Sequence, residues 1–139
     1  MASFSLSLAL EPDQISGAVE TVQTRLEAEG VDARAALHVA LTVDELLTNA
    51  STHGQGQGKA AAVRLELQAD RVCVEVVDGA AAYDPRGAPK PELDAGLHER
   101  PIGGLGVHLV VKLSRDLAYA RVNDRNRTNY WIARSPREG

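Results

Sequence analysis

The chain has 139 residues, 44% of them hydrophobic, and a formal net charge of −4. A chain of this length can bury roughly two-thirds of its unfolded surface, so we expect one domain over residues 1–139. The acidic balance offers no basic field for nucleic acid. The absence of a ~20-residue apolar run and of a signal peptide predicts a cytoplasmic protein without a membrane span.

The first predicted elements are a strand and a helix. Four apolar residues alternate with small ones near the start, as in a half-buried strand: Phe4, Leu6, Leu8 and Leu10. Pro12 then opens a helix, and apolar residues follow it at helical spacing: Ile15, Val19, Val22 and Leu26. Gly30 is a suitable left-handed end for this helix.

A second helix is predicted to start near Asp32, a plausible N-cap. It contains the segment ALTVDELLTNASTHG, residues 40–54. At ~100° per residue its apolar side chains form one stripe: Val39, Val43, Leu46, Leu47 and Ala50. Glu45, Asn49 and His53 share the neighbouring edge, four residues apart, and can serve one site. A Glu and an Asn there can supply a general base and a neutral oxygen ligand for a hard cation, although the same spacing is common on solvated helix edges.

A hairpin is predicted after a loop rich in glycine. Its strands alternate on either side of a turn at Asp70-Arg71: Val63, Leu65 and Leu67, then Val72, Val74 and Val76. The lone cysteine, Cys73, lies in the second strand and cannot form an internal disulfide. Asp78 stands where this strand gives way to a long loop. Its carboxylate can accept a hydrogen bond from an exocyclic amine such as that of adenine, or it can simply start a turn.

Residues 79–101 contain most of the prolines and show little periodicity. Loops of this length are usually functional lids or disordered segments. Arg100, near the end of this stretch, can meet a γ-phosphate or a lid carboxylate, or can be an ordinary exposed arginine.

A third helix is predicted from about Gly104 to Ser114, with Gly103, Gly104 and Gly106 at its start. Glycines let the backbone approach a phosphate, and a helix N-terminus offers free N–H groups, although a plain hinge is the alternative. No glycine-rich loop is followed by Lys and Ser or Thr, so a P-loop is excluded. Two strands, near Leu117–Val122 and Thr128–Ala133, are predicted to complete the chain.

The order of these parts resembles the GHKL ATPase superfamily: an E-x-x-x-N helix, a strand ending in Asp-Gly, a long loop and a Gly-Gly-Leu-Gly helix start. Within it the chain is similar to stand-alone anti-sigma factor serine/threonine kinases. The similarity covers nearly the whole chain and is specific in ERPIGGLGVHLVVKLSRDLAYARVNDRNR, residues 99–127, and in Tyr83-Asp84-Pro85. It implies the Bergerat ATP-binding fold. This is an α+β two-layer sandwich, a mixed, mostly antiparallel sheet covered by helices on one face, with an ATP lid at about residues 84–102.

The resemblance also implies roles for the candidate residues. Glu45 would be the general base, Asn49 the Mg²⁺ ligand, and Asp78 the acceptor of the adenine amine. The implied contacts to the nucleotide are Asn49, His53, Asp78, Arg100, Gly103, Gly104, Leu105, Gly106 and Thr128. His53 is expected either to shape the phosphate end or to be a satisfied buried histidine. A zinc site of Glu45, Asn49 and His53 is a remote option, because no second His or Cys cluster completes it.

Two positions depart from the family pattern. The adenine motif is usually Asp-x-Gly, and counting back from Tyr83-Asp84-Pro85 puts Ala80 where that glycine belongs, one place after Gly79. A methyl group there is expected to crowd the purine or to alter the path of the lid. The last strand of the family usually carries Thr beside the adenine pocket. At that position we expect Asn129, with Thr128 adjacent.

The implied cofactors are ATP and Mg²⁺. We expect no room for a histidine-kinase dimerisation region or a gyrase-type transducer domain. The implied function is therefore that of an anti-sigma factor that holds a sigma factor and phosphorylates an anti-anti-sigma partner of the STAS type. The resemblance also implies a homodimer. Two alternatives stay open. One is a catalytically weak nucleotide-sensing module of the same fold, slightly favoured by Ala80 and Asn129. The other is an interaction protein that binds no nucleotide.

Overall fold

The computed structural model describes residues 2–87 and 102–135, and for residues 102–107 it describes the backbone alone. The helices are α1 (Pro12–Ala28), α2 (Ala33–Thr52) and α3 (Ile102–Leu113). The strands are β1 (Ser3–Ala9), β2 (Ala60–Leu67), β3 (Arg71–Asp78), β4 (Arg115–Val122) and β5 (Arg125–Ala133). A short 3₁₀ turn spans Pro85–Gly87.

The five strands form one sheet in the order β1-β2-β3-β5-β4, and every neighbouring pair is antiparallel. The buried side chains of the helices and of one sheet face form a single hydrophobic cluster. This arrangement confirms the predicted α+β two-layer sandwich. None of the described helices is long and apolar enough to cross a membrane.

Helix α2 is the central helix and packs against both α1 and α3. The carboxylate of Asp32 accepts a hydrogen bond from the backbone N–H of Arg34 at 2.9 Å, which confirms the predicted N-cap. The predicted apolar stripe is buried in full: Val39, Val43, Leu46, Leu47 and Ala50. Helix α2 is therefore fixed against the sheet over its whole length.

The inner face of β3 and β5 changes from apolar to polar along the strands. Val72 pairs with Ile132 and Val74 with Tyr130, whereas Asp78, at the far end of β3, pairs with Asn126. Because side chains alternate along a strand, every second residue of β3 and β5 faces the helices, and these residues are all buried. A buried polar patch thus lies at one end of the core.

Strands β4 and β5 are joined by a tight turn. Asn123 and Asp124 have φ angles of 52° and 61°, and the strands pair directly on either side of them. Two consecutive residues with positive φ are typical of the type I′ hairpin turn. The turn fixes the register of β5, and with it the positions of the polar residues on its inner face.

The outer face of the sheet bears charged and polar side chains, several of them exposed. Trp131 lies on this face. Its indole N–H donates to the carboxylate of Asp116 at 2.7 Å, and the guanidinium of Arg71 lies 3.8 Å from its ring centroid. Aromatic and charged groups therefore occupy the sheet face opposite the helices.

Three element boundaries differ from the predicted ones. Strands β4 and β5 begin at Arg115 and Arg125, earlier than the apolar pattern indicated. Helix α3 begins at Ile102, so Gly103 and Gly104 lie inside its first turn and do not precede it. In β4 and β5, polar residues extend each strand beyond its apolar part. In α3, Gly103 and Gly104 are part of the helix.

Candidate functional site

A small cavity lies between α2 and the polar end of the inner sheet face. Its lining is contributed by α2, β3, β5 and the loops that follow them: Leu46, Asn49, Ala50, Gly54, Asp78, Ala81, Tyr83, Pro85, Asn126 and Thr128. Its volume is about 20 Å³, enough for about one water molecule. Larger cavities of about 400 and 320 Å³ lie along the outer face. We assign the site to the small one because buried polar side chains converge there, as they do in ligand pockets.

Asp78 is the buried carboxylate of this cavity, with 7% of its surface exposed. Its Oδ1 accepts hydrogen bonds from the backbone N–H of Ala80 and from Nδ2 of Asn126, both at 2.9 Å. Among the described residues, no donor reaches Oδ2. The carboxylate is therefore held by one oxygen, and the other is left as an acceptor.

Asn126 is a site residue that the sequence analysis missed. Its Nδ2 donates to Asp78 Oδ1 and also to the carbonyl of Ala81 at 2.9 Å. Its Oδ1 accepts from the backbone N–H of Tyr83 at 3.2 Å and from the hydroxyl of Tyr119. Strand alternation offered a signal, because Asn126 precedes Thr128 by two residues and so shares its face.

Thr128 lines the cavity and is buried, as the nucleotide-contact prediction requires. The expectation that Asn129 takes the threonine position is wrong. Successive side chains of β5 point to opposite faces, and Asn129 lies on the outer face with Cys73 and Trp131. The residue of this part of β5 that borders the cavity is therefore Thr128.

Ala80 is almost fully buried but does not line the cavity. Its methyl group points at the loop after α2, where a Cβ added to Gly54 or Gly56 would come within 3.0 or 2.8 Å of it. The guanidinium of Arg121 donates to the Ala80 carbonyl at 2.8 Å. The Ala80 methyl group is therefore directed towards two glycines that make room for it, and Ala80 is not part of the cavity lining.

Asn49 is buried on α2, and its side chain borders the cavity. Within the described part of the chain its amide makes no hydrogen bond, so its oxygen is available. A neutral amide oxygen suits Mg²⁺ as a ligand beside phosphate oxygens. Among the described residues, no group of three or more His, Cys, Asp or Glu could hold a metal ion.

Glu45 lies one turn before Asn49 on α2 and is half-buried. Partial burial raises the pKa of its carboxyl, and the neighbouring charge of Asp44 raises that pKa further. A raised pKa brings a carboxylate closer to the range in which it accepts a proton effectively. The structure therefore gives the predicted general base a suitable environment, although Glu45 is not among the residues that line the cavity.

The remaining predicted residues have different positions. His53 is the C-cap of α2 and is exposed, so the alternative of a buried, satisfied histidine is wrong. Gly103, Gly104, Leu105 and Gly106 lie at the start of α3, which packs against α2. Arg100 and most of the predicted lid lie outside the described residues. The first part of that lid contains the Pro85–Gly87 turn, and beside it Asp84 and Arg86 form an ion pair of 2.7 Å.

The two-layer fold thus brings a carboxylate at the end of a buried strand and an asparagine on the central helix to one cavity. The chain belongs to the family described as "Histidine kinase-like ATPase domain", whose pattern it matches over residues 8–130. The predicted superfamily is thus confirmed.

Known proteins similar to this chain include a bacterial kinase and a solved multidomain structure. The serine/threonine-protein kinase BtrW of Bordetella bronchiseptica is 35% identical over 91 residues, which is 64% of this chain and 64% of the kinase. The crystal structure of the RsbU and RsbW domains of Rv1364c from Mycobacterium tuberculosis superposes with a TM-score of 0.65 at 12% identity. That match covers 95% of this chain and 32% of the other, and it supports the fold alone.

Proposed function

We propose that this protein is an ATP-dependent serine/threonine kinase that acts as an anti-sigma regulatory factor. The observation that carries the proposal is the buried carboxylate of Asp78, which has a free acceptor oxygen in the cavity that also contains Asn49. Family membership implies ATP as the ligand, and the similarity to a serine/threonine-protein kinase favours phosphotransfer over ATP hydrolysis alone.

The described residues divide into a base end and a phosphate end. Asp78, at the end of β3, would accept a hydrogen bond from the adenine amine, and Thr128 borders the same space from β5. Asn49 would supply an amide oxygen to Mg²⁺, which would neutralise phosphate charge when bound. Glu45 would take the proton of the attacking hydroxyl as its oxygen bonds to the γ-phosphorus and the bond to the ADP oxygen breaks, so that ADP leaves.

The cavity is smaller than a purine, so ATP binding requires that part of the lining move. The segment that begins at Pro85 is the candidate, because Pro85 borders the cavity and belongs to the predicted lid, whereas Ala81 and Tyr83 are bound to Asn126. Helix α2 and the sheet form the other walls and belong to the packed core. Entry of the base would therefore displace the loop and leave the sheet unchanged.

The proposed partners are a sigma factor and an anti-anti-sigma protein of the STAS type, in the cytoplasm, with the kinase as a homodimer. This part rests on the family resemblance of residues 99–127 and on the similarity to BtrW. In this scheme the protein holds the sigma factor and phosphorylates a Ser or Thr of the antagonist.

A nucleotide-sensing module without kinase activity is the second candidate function. Two sequence departures favoured it, and the structure weakens both. Thr128 is in the cavity, and the Ala80 methyl group points away from it. The half-buried carboxyl of Glu45 also favours the kinase, because a sensor needs no base.

The test is calorimetric titration with ATP and Mg²⁺, followed by transfer of labelled γ-phosphate to a STAS-domain protein from the same organism. Glu45→Ala should keep most of the ATP affinity and lower the transfer rate by ~10²–10⁴. Glu20→Ala is the matched control, since Glu20 is exposed on α1. Binding without transfer would favour the sensor, and absence of ATP binding would contradict both functions.

A further inference from the structure

We propose that Asn126 is a positioning residue that determines the base specificity of the site. It holds the carboxylate of Asp78 so that Oδ2 faces an exocyclic amine, and it thereby makes the site selective for 6-aminopurines. The inference rests on the proposed function as an ATP-binding protein. It assigns the selectivity to a residue that would not itself contact the nucleotide.

The hydrogen bonds of Asn126 leave its amide little freedom. Its Nδ2 donates to Asp78 Oδ1 and to the Ala81 carbonyl, while its Oδ1 accepts from the Tyr83 N–H and from the Tyr119 hydroxyl. Both N–H groups and the oxygen of the amide are thus in use. The residue is 4% exposed, so water does not compete for these bonds.

The network admits one orientation of the amide. Turning it over would point Oδ1 at the Asp78 carboxylate and Nδ2 at the backbone N–H of Tyr83. An acceptor would then face an acceptor and a donor would face a donor in a buried site, where unpaired polar groups are costly. Asn126 therefore presents an N–H group to Asp78.

This N–H group has a specific consequence for Asp78. A carboxylate with two equivalent oxygens can rotate and offer either of them. Here the Ala80 N–H and the Asn126 Nδ2 both donate to Oδ1, and Asn126 is the cross-strand partner of Asp78. Rotation would break two hydrogen bonds at once, so Oδ2 is the oxygen that remains for a ligand.

Asn126 also gives the Asp78 carboxylate a neutral hydrogen-bond donor. It donates to the carboxylate of Asp78, while the guanidinium of Arg121 is bound to the Ala80 carbonyl and the Tyr119 hydroxyl is bound to Asn126. An acid in its place would remove this N–H donor and put two carboxyl groups in contact.

The test compares ATP with purine riboside triphosphate, which lacks the 6-amino group, by calorimetry. The ratio of the two Kd values reports the amine contact and cancels losses that affect both nucleotides equally. We expect the wild type to prefer ATP by about tenfold or more, the value of a hydrogen bond to a charged group. Asn126→Ala and Asn126→Asp should lower that preference several-fold at neutral pH.

Asn129→Ala is the matched control, because Asn129 lies on the same strand but on the outer face. It should leave the ratio unchanged. Tyr119→Phe removes one hydrogen bond to Asn126 Oδ1 and keeps the others, so it should lower the preference less and serves if Asn126→Ala does not fold.

The outcomes separate the two proposals. A wild-type protein that binds neither nucleotide would overturn the proposed function and this inference together. If the wild type prefers ATP and the Asn126 and Tyr119 variants keep the same ratio, ATP binding stands and the role of Asn126 is wrong. Equal wild-type affinity for both nucleotides would also reject it, because then no carboxylate reads the amine.

Discussion

The methyl group of Ala80 packs against Gly54 so closely that a Cβ on Gly54 would lie 3.0 Å from it. The family pattern has a glycine at the position of Ala80, and this chain has glycines on the opposing loop. Ala80 has no positive φ, so its backbone does not require glycine. The departure is thus a change in packing, matched by small residues at the end of α2.

The packing of this pair gives the first prediction. Gly54→Ala should lower the free energy of unfolding by about 1–3 kcal/mol through overpacking, measured by urea denaturation. Ala80→Gly in the same protein should recover part of the loss, because the contact with the Ala50 carbonyl at 3.0 Å remains. Gly17→Ala is the control. Gly17 is exposed within α1 with nothing near it, so alanine should stabilise by roughly 0.5–1 kcal/mol. Full additivity of the Gly54 and Ala80 changes would contradict the contact.

The second prediction concerns the adenine acceptor. Asp78→Asn removes a charge-assisted hydrogen bond worth about 1.5–3 kcal/mol, so ATP binding should weaken roughly 10–100-fold by calorimetry. GTP should bind the wild type poorly, because it has no amine at the corresponding position. Asp70→Asn, in the exposed β2–β3 turn, should leave ATP binding unchanged. An Asp78→Asn variant with wild-type affinity would show that the base is read elsewhere.

The third prediction follows from the raised pKa of Glu45. A base must be ionised to work, so phosphotransfer should fall as the pH drops through this raised pKa, at higher pH than for an ordinary glutamate. Asp44→Asn removes the neighbouring charge and should move this acid limb to lower pH. An acid limb that is unaffected by Asp44→Asn would argue that another group sets it.

The same carboxyl affects stability. A folded-state pKa above the unfolded value means that ionisation of Glu45 disfavours the fold at neutral pH. Glu45→Gln should therefore raise the thermal unfolding midpoint at pH 7, and the gain should disappear as the pH falls through the raised pKa, where Glu45 is itself protonated. A gain that is constant with pH would indicate a cause other than ionisation.

The fifth prediction concerns a buried hydrogen bond between α2 and β5. The Tyr130 hydroxyl donates to Thr42 Oγ1 at 2.7 Å, and Thr42 donates onward to the Val39 carbonyl at 2.8 Å. Burial raises the pKa of Tyr130, so it should not ionise before the protein unfolds in alkali. Tyr130→Phe should cost about 0.5–1.5 kcal/mol, and Thr42→Val about 1–3 kcal/mol because it leaves the tyrosine hydroxyl buried without an acceptor. Equal losses would mean that the hydroxyl finds another partner.

Much of the fold could be predicted from the chain because its elements are strongly periodic. The apolar stripe of α2 and the alternation of β2 and β3 each fix which side faces the core, and Asp32 fixes where α2 begins. Boundaries were harder to predict in β4 and β5, where the first residues are polar and are held by ladder hydrogen bonds. Those bonds involve the backbone, so they leave no side-chain pattern.

The site was predicted where one element carries the residues and missed where two elements meet. Asn49 and Asp78 follow from their own helix and strand, whereas Asn126 acquires its role only from cross-strand pairing with Asp78. The error at Asn129 arose from a shift of one residue in the alignment, which moves a strand side chain to the opposite face. The space that the Ala80 methyl group occupies depends on a loop 24 to 26 residues earlier in the chain, at Gly56 and Gly54.

Trp131 is the single tryptophan of the chain, and its ring lies on the sheet face that the helices leave uncovered. Its fluorescence therefore reports on that face and is separated by the thickness of the sheet from the cavity of Asp78. Displacement of the Arg71 guanidinium or of the Asp116 carboxylate from the indole would alter the emission directly. The chain thus carries an intrinsic optical probe that can register the docking of another protein on this face without any label.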